Sequence, residues 1–90
     1  MSMDDTYVQM QKFEQNLSSF NQSLKVSLDD LQAQHDHVSP MWQDEMRRHY
    51  DAVWGPFLET MKHYVASEGP GYVEFLNIKL YALGRYLHGG

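Results

Sequence analysis

Five histidines, twelve acidic residues and a scatter of serines are the raw material for chemistry in this chain of 90 residues. His35 and His37 stand two apart around Asp36. On a helix that spacing sends the rings to different sides, poor geometry for sharing one ion. His49 and His63 each precede a tyrosine and are fourteen apart, which on a helix is about 21 Å, too far to bind one metal together. There is no Glu-x-x-His pair, and the absence of cysteine removes thiolate zinc sites and disulfides alike. No Gly-x-Ser-x-Gly elbow exposes a serine nucleophile. The glycine-rich stretch Glu68-Gly69-Pro70-Gly71 loses an amide donor at Pro70 rather than offering the row of donors a phosphate needs. These residues predict a protein with no catalytic group, no metal and no cofactor.

Arg47 and Arg48 lie close in sequence to Asp44 and Asp51. Their spacing fits surface pairs at i, i+3 or i, i+4, worth a few tenths of a kcal/mol, with a polar anchor for a partner as the sharper alternative. Net charge is -5, concentrated in residues 1–38, and no basic patch invites nucleic acid. No apolar run approaches the length of a membrane span. The acidic, polar first residues lack the pattern of a secretory signal peptide.

Positioning falls to helices. Met10, Leu17, Leu24, Leu31 and Val38 recur every seven residues, with Phe13, Phe20 and Leu28 between them. Spacings of three and four define one apolar stripe on a helix over about residues 5–37, opened by Asp4 or Asp5 as cap. Ser39-Pro40 is a helix-opening pair, so the corner is expected at 38–43 and a second helix over about 40–67. Its stripe is Trp42, Met46, Tyr50, Val53, Trp54, Phe57, Met61, Tyr64 and Val65. Gly55-Pro56 predicts a kink or break in its middle, and Ser67 to Gly71 predicts its end. Tyr72, Leu76, Leu80, Leu83 and Leu87, with Phe75 and Tyr86 beside them, give a third amphipathic helix over about 72–87.

The fold class implied by these stripes is all-α, one domain spanning 1–90. It is an antiparallel helical hairpin with an additional C-terminal amphipathic helix, completing a bundle on association. Trp42 at the corner is expected to wedge between the helices. A chain this short buries little surface by itself, which makes association the natural supplement to its stability.

This layout resembles the WXG superfamily, the small helical-hairpin proteins of type VII (ESX-type) secretion systems. The resemblance covers about residues 5–68. The family's corner tryptophan corresponds to Trp42 and its second-helix aromatic to Tyr50. The third corner position is Asp44 where the family has glycine, so the motif here is Trp-x-Asp and the chain resembles a divergent member. The Tyr-x-x-x-Asp/Glu export signal that the family carries after its second helix corresponds to Tyr64 and Glu68.

The resemblance implies a non-enzymatic, bacterial interaction module of coiled-coil character. It would be a small substrate or co-secreted partner of a type VII-like system, cytoplasmic before export and secreted without a cleavable signal peptide. Its implied partners are itself or a similar hairpin protein as a dimer, a secretion ATPase, or a larger helical-domain effector. An adaptor subunit that stays in the cytoplasm is the alternative, favoured by the Trp-x-Asp corner and the extra helix. A modifier conjugated through the terminal Gly89-Gly90 is the remote one, since no strand pattern accompanies it.

Overall fold

The computed structural model describes residues 2–89, and nearly all of these are helical, with no strand among them. Helix α1 spans Met3–Val38, α2 Met46–His63 and α3 Gly69–His88. A 3₁₀ turn at Ser39–Met41 follows α1, and a π turn at Tyr64–Glu68 joins α2 to α3. The chain therefore forms a hairpin-like pair of long arms, 64 × 22 × 17 Å overall. Contacts run antiparallel: Tyr7 meets His88, Asn21 meets Tyr64, and His35 meets Tyr50.

The N-terminal cap is Ser2 rather than Asp4 or Asp5. Its hydroxyl accepts the Asp5 amide at 3.1 Å, and the two acids sit in the first turn, where the helix dipole favours negative charge. The far end of α3 closes on Gly89, whose left-handed backbone (φ 66°) turns its N–H onto the Arg85 carbonyl at 2.9 Å. Gly90, the residue of the conjugation alternative, lies outside the described residues.

Three expected boundaries move. Helix two does not open at Pro40. That proline starts only the short 3₁₀ turn, Trp42 is extended (φ -108°, ψ 103°), and α2 begins at Met46. The chain does not break at Gly55-Pro56. Helix α2 runs through Pro56, which forfeits its bond to Ala52, an exposed residue whose carbonyl water can reach. The stop expected at Ser67 to Gly71 is absent as well, so helices two and three form one arm from Met46 to His88. Here the backbone widens instead of ending: the Gly69 N–H reaches back five residues to the Tyr64 carbonyl. The π turn thereby takes up the Pro70 ring, which in a regular helix crowds the carbonyl four residues back. Gly69, Pro70 and Gly71 alone carry an intrinsic penalty of about 5 kcal/mol relative to alanine inside a helix, so this arm is helical because it packs.

The seam between the arms takes in only part of the predicted stripe, Met10, Leu17, Leu24 and Leu28. Row Tyr7, Glu14, Asn21, Leu28 and His35 faces inward along α1, together with Met10, Leu17 and Leu24. Phe13 and Phe20, expected in the core, are 58% and 57% exposed. The seven-residue rows explain this. The apolar stripe is broader than one neighbour can cover, and the opposite arm sits toward its polar edge. Along the second arm Tyr50, Trp54, Leu58, Met61, Val65, Leu76, Leu80, Leu83 and Leu87 are buried or half-buried, whereas Met46, Val53 and Phe57 turn outward. Among apolar side chains of the described residues only Leu28 and Leu80 are buried.

Candidate functional site

The corner is built on Arg47. Its Nη1 donates to the carbonyls of Ser39 (2.7 Å) and Trp42 (2.9 Å), and its Nη2 donates to the Ser39 hydroxyl (2.6 Å). Nε donates to the Asp51 carboxylate at 2.8 Å. One planar guanidinium thus ties the end of α1 to the first turn of α2, a task suited to its fixed fork of donors. Asp44 completes the turn. Its carboxylate accepts the Trp42 indole N–H at 2.7 Å and the Arg47 amide at 3.3 Å, so it orients the tryptophan and caps α2 at once. The Trp-x-Asp sequence has a physical account here, because the aspartate makes two bonds a glycine cannot.

Trp42 is half-buried and packs on Tyr50, ring centroids 5.0 Å apart. It covers one end of an aromatic ladder. The His35 ring stacks on Trp54 at 4.5 Å and on Tyr50 at 5.5 Å, and His35 Nδ1 shares a 2.8 Å hydrogen bond with the Tyr50 hydroxyl. Phe57 extends the ladder from Trp54 at 5.8 Å. His35 is a seam residue, and no group of three or more His, Cys, Asp or Glu side chains stands together among the described residues.

Midway along the arms the Tyr64 hydroxyl donates to Asn21 Oδ1 at 2.7 Å, while Asn21 Nδ2 is buried without a partner. Glu68 lies 3.4 Å from His63 across the π turn. Tyr64 and Glu68 therefore sit in the middle of the second arm, not beyond its end.

The two flanks of the hairpin differ. On one, Ser18, Gln22 and Lys25 face Pro70, Glu74 and Asn77 across a polar groove. On the other, shallow grooves follow one another along the arms. The first is walled by Leu31, Val38, Trp42 and Tyr50, the next by Phe20, Leu24, Met61 and Tyr64, the last by Phe13, Leu17, Tyr72 and Phe75. Phe57 is 42% exposed and Leu31 43% exposed on the same side. Of the residues singled out in the sequence, this flank gathers Phe13, Leu17, Phe20, Leu24, Leu31, Tyr50, Phe57 and Met61 with Trp42 at its end. Met10 and Trp54 belong to the seam, and Met46 and Val53 are exposed near the start of α2.

Arg47, His35, Asn21 and Tyr7 are the residues that spacing alone did not single out for these roles. Tyr7, Asn21 and His35 share a seven-residue row with Leu28, a pattern readable in the sequence but masked by the stronger apolar rows beside it. Arg47 carries the i, i+4 signal to Asp51, whereas its reach to Ser39 depends on the shape of the corner. The chain matches no family model, no curated protein and no solved structure.

Proposed function

We propose that this chain is a non-enzymatic interaction module whose apolar flank pairs with a second helical hairpin to complete a four-helix bundle. The observation that carries this reading is the mismatch between apolar content and burial. Among the described residues two apolar side chains are buried, while Phe13, Phe20, Leu31, Phe57, Tyr72 and Phe75 remain more than two-fifths exposed along one side. Apolar patches of that length on small proteins mark association sites. A strip as long as the molecule, 64 Å, and about 10 Å wide covers roughly 600 Å² per partner, near the ~800 Å² of a standard interface. Charge permits the pairing, since the flank residues of α1 from Phe13 to Leu24 are apolar or uncharged.

Within that module, the WXG-like reading has the chain act as a small substrate or co-secreted partner of a type VII-like secretion system. Its support is the two-arm layout: one long helix, a Trp42 corner and one continuous second arm bearing Tyr50 eight residues on. The competing reading, a cytoplasmic adaptor subunit, draws on Tyr64 and Glu68. Both are engaged in mid-arm, with Asn21 and with His63, where an export signal at the end of a second helix is not expected.

Light scattering coupled to size exclusion tests the association. A dimer or larger species is expected at micromolar protein, and Phe20→Glu together with Phe57→Glu should yield a monomer of reduced helicity. A wild-type chain that stays monomeric and fully helical across that range overturns the bundle. Export is tested separately, by comparing culture medium with lysate for the wild type and a Glu68→Ala variant; retention of both in the lysate beside an active secretion ATPase supports the adaptor.

A further inference from the structure

Helices α3 and α2 lie against α1 in different ways. Two glycines bring α3 close: a Cβ on Gly69 would stand 3.0 Å from Asn21 Nδ2, and one on Gly84 would stand 3.2 Å from the Tyr7 hydroxyl. Gly69 and Leu80 are buried on this helix. Helix α2 has no buried residue, a Cβ on Gly55 would meet nothing within 4 Å, and its backbone stands off from α1. Aromatic rings span that gap. Among the described residues, His35 is the one α1 side chain that hydrogen-bonds to α2, through the Tyr50 hydroxyl, and its ring stacks on Tyr50 and Trp54. The partners of the Arg47 clamp, Ser39, Trp42 and Asp51, all follow α1 in the chain, so the clamp holds the corner to α2 rather than α2 to the length of α1. Midway along α2, Pro56 already forfeits one helix bond.

We propose that the corner and α2, residues 39–63, form a unit that opens while α3 stays packed on α1. The unit is tethered at both ends, by Val38 and by the π turn, so it is released by unwinding α2 rather than by swinging it as a rod. Unwinding costs least at Gly55-Pro56, where helix propensity in α2 is poorest. Local stability follows buried apolar contact, which places the low-stability unit in α2 and the high-stability one where Leu80 is buried. The antiparallel register puts Leu28 across from α2, so opening uncovers Leu28 and His35 on α1 together with Trp54 on the released segment. His35 is the latch of the closed form. The opening does not depend on which partner, if any, covers the apolar flank, because that flank runs along α2 and α3 alike.

Amide hydrogen exchange of the full chain, read by segment, tests the opening. Residues 46–63 should exchange together and faster than residues 72–83. Leu80→Val removes one methylene from the packing of α3 on α1, which the closed and the opened forms share. It should therefore speed 72–83 about fourfold and leave 46–63 unchanged. Pro56→Ala strengthens the closed form alone, against the opened form and the unfolded chain equally. It should slow both segments by one common factor, about fivefold or more, and His35→Ala should speed both by one common factor. Equal exchange of the two segments in the wild type overturns the proposal. So does slower exchange of 46–63 than of 72–83, or a Leu80→Val variant in which both segments speed alike.

Discussion

Replacing Arg47 by alanine isolates what the corner clamp contributes. Three of its hydrogen bonds end on Ser39 and Trp42, at 2.6 to 2.9 Å, and its side chain is 21% exposed. Truncation leaves two carbonyls and a hydroxyl that water reaches in part, so each bond contributes its net rather than its gross energy, about 0.5–1.5 kcal/mol. The three together come to roughly 2–4 kcal/mol. The fourth bond goes to Asp51, which is half exposed, and adds less than about 0.5 kcal/mol. Arg48, the neighbour with the same charge, is exposed; its alanine variant should stay within about 0.5 kcal/mol of wild type. Urea unfolding followed by circular dichroism, at one fixed protomer concentration, compares the three proteins. Arg47→Lys adds a second check, because an ammonium keeps the charge but cannot span both carbonyls and the hydroxyl; it should restore less than half of the loss. If Arg47→Ala and Arg48→Ala unfold at the same midpoint, the clamp contributes nothing and the corner is held by Trp42 packing alone.

Three further substitutions probe the corner and the second arm. Asp44→Gly, which recreates Trp-x-Gly, should cost about 1–2 kcal/mol through loss of the α2 cap and the indole acceptor, read as a lower urea midpoint with a changed tryptophan emission. Pro56→Ala should raise stability by about 1–3 kcal/mol, since α2 already runs through that position and regains a backbone bond; a lower melting temperature would show that Pro56 has a packing role. Trp42→Ala should cost about 1.5–3 kcal/mol, less than a fully buried tryptophan, because the ring is half-buried, with helix content preserved by circular dichroism.

The seven-residue spacing of Met10, Leu17 and Leu24 is enough to foresee a long first helix, and Ser39-Pro40 enough to foresee the turn. Four features are not legible in this way, each for a physical reason. Gly69-Pro70-Gly71 reads as a stop because local propensity opposes a helix there, yet the π turn absorbs the proline and tertiary packing carries the arm onward. Pro40 reads as the start of helix two, but a proline opens a 3₁₀ turn equally well, and Asp44 rather than Ser39 caps α2. Phe13 and Phe20 read as core because an apolar stripe shows that something covers it without showing whether that cover belongs to the same chain. The corner tryptophan and its aspartate are visible as a motif. The Arg47 guanidinium that ties Trp42 to Ser39 is not, because two of its acceptors there are backbone carbonyls, which carry no sequence signature.

The narrowness of the hairpin has a consequence for passage through confined spaces. At 22 × 17 Å across and 64 Å long, the molecule presents end-on little more than two helices side by side. A conduit slightly wider than that cross-section admits it with its backbone hydrogen bonds intact, leading with either the Arg47 corner or the Ser2 and Gly89 ends. A four-helix pair is about twice as thick in one direction. If two hairpins pair as proposed, a bore that admits the single hairpin need not admit the pair.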